Sequence, residues 1–100
     1  MERLTWVECP RDAMQGYPTV FRTEDKIAFL QRLLPVGFDY LDLASFVSPK
    51  AIPQMADTAE VLAQLDLSKT SSKLLAIIAN TQGAELASVH KEIQYLGFPF

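Results

Sequence analysis

The sequence predicts an α/β fold of parallel strand–helix repeats, with about four strands and three helices over residues 1–100. Three observations carry this expectation. Short apolar runs alternate with stretches of helical periodicity along the whole chain, a pattern that specifies βα units. Leu74 to Ala79 is continuously apolar, as in a strand covered on both faces of a parallel sheet. The helix-bearing stretches between the apolar runs are long enough for right-handed crossovers.

Each element has its own signals. Leu4 to Cys9 reads as a buried strand that stops at Pro10, which fixes its own φ and pushes Cys9 towards an extended conformation. A loop is expected from there to about Phe21. Thr23-Glu24-Asp25 opens a helix, with Thr23 as N-cap and two acids favourable to the dipole. Ile27, Leu30, Leu33 and Leu34 form one apolar stripe, and Pro35 and Gly37 end it. Phe38 to Ala44 is the second strand, with Tyr40, Asp42 and Ala44 on one face and Asp39, Leu41 and Leu43 on the other. Ser45 to Met55 is a long loop stiffened by Pro49 and Pro53. Asp57 or Thr58 caps a helix carrying Ala59, Val61, Leu62 and Leu65, and Asp66 to Ser72 is turn-like. Lys73 to Ala79 is the third strand and Gly83 to Val89 the third helix. His90 is expected to be solvated at the end of that helix, and Ile93 to Phe98 is the fourth strand.

Composition narrows the functional classes. Nearly half the residues are apolar, 49%, so the chain can build a core. Nine basic and twelve acidic residues give a net charge of −3, with no basic run to grip nucleic acid. The apolar runs are short and interrupted, so no membrane span is expected. Strand-like sequence begins within three residues of Met1, leaving no room for a targeting peptide. Cys9 is the only cysteine, which fits a reducing compartment and makes a cytoplasmic protein the expectation. The four glycines are isolated, so no Gly-rich phosphate loop follows any strand.

The chemistry is expected in Glu8 to Gly16, where Glu8, Arg11, Asp12 and Gln15 place an acid, a cation, a second acid and an amide within eight residues. At the C-terminal end of a parallel strand, a carboxylate beside a guanidinium suits a hard metal and an anionic oxygen. An isolated Arg-Asp dipeptide also occurs as a plain surface turn. Asp42 would point inward, a costly position for an acid unless it is paired with a group such as Arg11 or linked to a metal. Asn80, at the C-terminal end of the third strand, could contact substrate or cap the following helix.

Two stretches carry a resemblance. Cys9-Pro10-Arg11-Asp12-Ala13-Met14-Gln15 is similar to the Pro-Arg-Asp-Gly-Leu-Gln signature of hydroxymethylglutaryl-CoA lyases. Ser45-Phe46-Val47-Ser48-Pro49-Lys50-Ala51-Ile52-Pro53-Gln54-Met55 resembles their Ser-Phe-Val-Ser-Pro-Lys-Trp-Val-Pro-Gln-Met loop almost residue for residue. The two matches occur in the right order and separation, and the similarity extends from about Leu4 to the C-terminus. The family folds as a TIM (β/α)8 barrel, so the resemblance implies that residues 1–100 are the N-terminal half of a single, incomplete barrel domain.

The family cleaves 3-hydroxy-3-methylglutaryl-CoA to acetoacetate and acetyl-CoA with the help of Mg²⁺ or Mn²⁺. The resemblance implies that Asp12 is a metal ligand, that Arg11 stabilises the enolate oxygen, and that Gln15 supports Arg11. Asp42 stands where the family carries a Glu near the metal, and its shorter side chain leaves open whether it acts as base or as a supporting group. Ser45, Asn80 and Arg11 would face the acyl-CoA substrate. Ala13 replaces the signature glycine, Pro18 stands where a lysine is usual, and Ala51 replaces the loop tryptophan. The family's His-x-His pair, its metal-binding Asn and its lid Cys have no counterpart in these residues. Condensing relatives of the isopropylmalate and homocitrate synthase type share the Arg-Asp pair, but Pro10 follows the lyase pattern. A further alternative is a non-catalytic half-barrel that associates through its open strand edges. The expected partners are therefore an acyl-CoA and either further copies in a homo-oligomer or the missing half of the barrel.

Overall fold

The structure, a computed structural model, describes residues 3–99. Its sheet has four parallel strands in chain order, β1 (Val7–Glu8), β2 (Tyr40–Phe46), β3 (Lys73–Ile78) and β4 (Ile93–Gly97). Four α-helices connect or flank them: α1 (Pro10–Gln15), α2 (Thr23–Leu33), α3 (Thr58–Gln64) and α4 (Thr81–Ser88). The expected parallel βα alternation is therefore present, with one more helix among the described residues.

That extra helix, α1, replaces part of the loop expected after Cys9. Pro10 occupies its first position, where a missing N–H costs nothing and a fixed φ already suits a helix. Gly16 N–H closes the last turn on Asp12 O at 3.0 Å, and Met14 anchors the helix in the core. The early helix shortens β1 to two residues, where the sequence predicts six. Trp6 O still accepts from the Asp39 and Tyr40 N–H groups, while the Asp39 carboxylate accepts from Trp6 N–H at 2.7 Å.

The α2 stripe packs as expected, with Leu30 and Leu34 buried and Ile27 and Leu33 partly so. Its cap differs. Arg22 is the flanking extended residue, and the Thr23 hydroxyl donates to Asp57 Oδ2 at 2.6 Å instead of capping its own helix. A 3₁₀ turn over Leu34–Val36 ends the helix at Pro35, and Gly37 reverses the chain at φ +99°, a left-handed conformation that suits glycine.

β2 lies two residues further along than predicted, taking Ser45 and Phe46 out of the expected loop; the rest of that loop ends in a 3₁₀ turn over Pro53–Met55. Its register on β3 jumps between Asp42 and Ala44, so Leu43 is an extra residue on the β2 side. The strict alternation of faces breaks there. Leu41, Leu43 and Ala44 all join the core with Leu30, Leu34, Met55, Val61 and Leu62. Ala44 is therefore not on an open inner face with Tyr40 and Asp42. Val61 and Leu62 in α3 and Leu65 just past its end are buried as expected, but Ala59 is exposed. Asp57 flanks α3 without capping it, while the Thr58 hydroxyl donates to Met55 O at 2.8 Å and lies 3.0 Å from Ser45 O.

β3 occupies the expected residues as far as Ile78, but only one face is buried. Leu74, Ala76 and Ile78 are covered, while Leu75 and Ile77 on the other face are half-buried. The α4 helix begins two residues earlier than predicted. His90 is not a solvated end: it is half-buried, stacked on Phe46 with centroids 5.2 Å apart, and its Nδ1 lies 3.4 Å from Glu92. Gly83 lets α4 approach the sheet, since a Cβ built there would sit 2.4 Å from Phe46 O. Gly83→Ala should accordingly destabilise the protein by about 1–3 kcal/mol, because backbone on backbone cannot yield as a flexible side chain can. Urea denaturation checks this, and an unchanged midpoint would contradict it.

Candidate functional site

The residues of interest collect at the C-terminal ends of β1, β2 and β3. Because α1 starts directly after β1, Arg11 sits on its first turn and turns its side chain onto the neighbouring strand. Arg11 Nε donates to Asp42 Oδ1 at 2.8 Å and Nη2 to Asp42 Oδ2 at 3.0 Å, a bidentate pair with both side chains largely buried. One turn along α1, Gln15 Oε1 accepts from Arg11 Nη1 at 3.0 Å. Cys9 adds a third donor to the carboxylate, its thiol lying 3.1 Å from Asp42 Oδ2, and Arg11 Nη2 lies 3.6 Å from the same sulfur. The hydrogen bond to Asp42 raises the Arg11 pKa further above its ordinary value, so the guanidinium is always charged. Burial, reinforced by the hydrogen bond to Asp42, pushes the Cys9 thiol up, so it stays protonated and donates.

A guanidinium offers five N–H groups. Four have partners among the described residues, which leaves one, on Nη1, held at a fixed angle and without a partner among them. Such a rigid N–H can meet charge that develops on an oxygen without reorganising first. Asp42, with three donors on its two oxygens, is occupied in holding the guanidinium.

Asp12, next along α1, faces outwards and makes no side-chain hydrogen bond or ion pair among the described residues. Its carboxylate is the kind of ligand that Mg²⁺ or Mn²⁺ takes. These ions need about six oxygens, and no group of three or more acidic, His or Cys side chains converges among the described residues. The donor set present therefore does not complete a metal site.

The other two sequence-predicted residues lie apart from Arg11, around a cavity of about 350 Å³ between the β2 and β3 ends. Ser48, Pro49, Asn80, Gln82 and His90 line it with Ser45. Ser45 is buried, and its Oγ has no hydrogen-bond partner among the described residues. Asn80 caps α4, its Oδ1 accepting from Gly83 N–H at 2.8 Å, the second of the two readings its position allows. Its amide nitrogen makes no hydrogen bond among the described residues. Two features lie outside the sequence-based expectations: the Cys9 thiol on Asp42 and the burial of Lys26. The first could have been suspected from its place before Pro10, whereas nothing local announces the second.

No family model matches the chain. A hydroxymethylglutaryl-CoA lyase of Bacillus subtilis is 37% identical over 78 residues, covering 78% of this chain and 26% of the relative. An (R)-citramalyl-CoA lyase of Chloroflexus aurantiacus is 32% identical over 98 residues, covering 88% of this chain and 31% of the relative. The solved lyase of Acinetobacter baumannii, in complex with coenzyme A and 3-methylmalate, superposes with a TM-score of 0.82 at 35% identity. That match covers 92% of this chain and 30% of the solved one. The chain thus spans less than a third of the length of these relatives, and its four parallel strands match part of a lyase TIM barrel. Motif, fold and strand order agree: the chain is a homologue of the hydroxymethylglutaryl-CoA lyase family, covering about the N-terminal 30% of a full-length lyase.

Proposed function

We propose that the chain supplies the Arg-Asp corner of a carbon–carbon lyase that cleaves 3-hydroxy-3-methylglutaryl-CoA to acetoacetate and acetyl-CoA. The observation that carries this reading is the Arg11 guanidinium, locked by Asp42 and Gln15, with one N–H left over among the described residues and the exposed Asp12 next in the chain. In the retro-Claisen step the substrate hydroxyl loses its proton and becomes a carbonyl. The bond between its carbon and the thioester α-carbon breaks, and the electron pair leaves as an enolate. The α-carbon then takes up a proton, balancing the one given up by the hydroxyl, to form acetyl-CoA. Arg11 donates to the oxygen on which that charge grows. Gln15 and Asp42 act by fixing Arg11, and Asp42 has little capacity left to act as a base.

Asp12 is proposed as one ligand of a divalent cation, Mg²⁺ or Mn²⁺, whose remaining ligands come from outside these residues. Such an ion, when bound, supplies Lewis acidity to the substrate's oxygens. Ser45 and Asn80 line the cavity suited to the acyl-CoA, a ligand class supported by the coenzyme A in the A. baumannii relative. Residues 1–100 would then be part of one barrel domain, completed by the remaining strands or by association with further copies. No helix among the described residues is long and apolar enough to cross a membrane, and the single cysteine suits a cytoplasmic setting.

The citramalyl-CoA lyase relative favours one variant of this reading, in which the same site cleaves another 3-hydroxyacyl thioester. Full-length protein offered both thioesters with Mg²⁺ or Mn²⁺ should release acetyl-CoA from at least one of them. Asp12→Asn should weaken activation by the metal at least about tenfold, since it removes the charge offered to the cation. Release of acetyl-CoA from neither thioester, or an unchanged metal dependence in Asp12→Asn, would count against the assignment.

A further inference from the structure

Lys26 is the least expected residue in the interior. It lies in the first turn of α2 and is 3% exposed, although a lysine is almost never buried unless paired. Its ammonium reaches across to the segment after β2, donating to Asp57 Oδ1 at 2.6 Å and to the backbone carbonyl of Gln54. Thr23, one turn earlier, donates to the other Asp57 oxygen at 2.6 Å. Burial tends to raise the Asp57 pKa, but the bonds from Lys26 and Thr23 overcome it and hold the carboxyl below its ordinary value. The Gln54 side chain in turn donates to Tyr17 O at 3.2 Å, just past α1. A single residue of the loop is thereby fastened both to α2 and to the chain leaving the Arg11 helix.

A buried ion pair contributes little to stability compared with well-packed apolar side chains, and its better-attested use is to fix register. What this one registers is the wall of the cavity beside β2. Ser48, Pro49 and Met55 of the fastened segment line that cavity opposite Asn80 and Gln82. We propose that Lys26 is a positioning residue: through Asp57 and Gln54 it sets the loop of residues 47–55 against the signature helix, and so sets how tightly the cavity holds its thioester ligand. This rests on the lyase reading for the identity of the ligand, but not for the clamp itself.

The test uses the full-length protein. Lys26→Met alone leaves the partly buried Asp57 carboxylate without its cation and could unfold the chain, so the informative variant is the double one, Lys26→Met with Asp57→Asn, which removes both charges. Hydrogen exchange should quicken by at least about tenfold at the amides of Ala51, Ile52 and Met55, which bond within the loop to Ser48 O and Ile52 O. Exchange along Leu74–Ile78 should hold. KM for the thioester, and the dissociation constant of coenzyme A by calorimetry, should rise about tenfold while kcat changes less than about threefold. That split marks lost ligand positioning and not lost chemistry. Unchanged exchange at residues 51–55 would overturn the clamp, and faster exchange with unchanged ligand affinity would overturn its role in binding. If the wild-type protein neither cleaves a thioester nor binds coenzyme A, the lyase reading falls, and exchange alone judges the clamp.

Discussion

Arg11→Met in the full-length protein should lower turnover of the acyl-CoA substrate by about 10²–10³, the usual loss when a donor aimed at a developing oxyanion is removed. Metal affinity should change little, because the proposed ligand is Asp12 and its carboxylate does not contact Arg11 through a hydrogen bond. The substitution has a structural side effect. It strips Asp42, with its side chain only 10% exposed, of a bidentate cation. A buried charge left unpaired costs about 3–5 kcal/mol, which could mimic a catalytic loss. Pairing the change with Asp42→Asn removes the orphan charge and separates the two effects. The double variant should regain most of its melting temperature and none of its turnover. Steady-state kinetics beside a thermal melt measures both, and near-normal turnover in the double variant would show that Arg11 has no part in the chemistry.

Residues 1–100 expressed alone should show no lyase activity and should associate. The order β1-β2-β3-β4 leaves β1 and β4 as the edges of the described sheet, and edges invite pairing. Apolar surface is exposed around both: Trp6 and Val7 beside β1, and Tyr95 and Leu96 on β4, at 66%, 53%, 40% and 47% exposure. On the inner face Tyr40 and Tyr95 meet edge to face at 5.1 Å, with Lys73 placed 5.9 Å from both rings. That layer would fill the interior of a complete barrel. The outer face needs nothing further, because Leu41, Leu43 and Ala44 are already covered by the helices. Light scattering should therefore report a mass well above 11.2 kDa, and a metal titration should find only weak binding. A monodisperse monomer that binds Mg²⁺ tightly and cleaves the thioester would refute both the half-barrel account and the proposed extent of the site.

The parallel order of the four strands and the position of α2 were legible in local pattern. Six consecutive apolar residues at Leu74–Ala79 mark a strand of a parallel sheet, and the Leu30–Leu34 stripe can face only one way. Pro35 and Gly37 stop α2 by backbone chemistry that acts within one residue. The proximity of Arg11 and Asp42 was likewise an available expectation, since two charges at neighbouring strand ends have every reason to pair.

Only the tertiary structure decided the rest, and in each case the reason is a contact between distant parts of the chain. A six-residue helix is marginal by itself, so α1 exists because Met14 has a core to enter. The extra residue in β2 sets Leu43 and Ala44 together against the helices, an outcome that strict alternation denies. Thr23 and Asp57 look like helix caps from their neighbours alone, yet both give up capping to serve Lys26 or its partner. Lys26 reads as a surface residue at every local scale. It can be buried because folding brings it a carboxylate from Asp57 and a carbonyl from Gln54, and sequence pattern carries no information about a charge that is neutralised from 31 residues away.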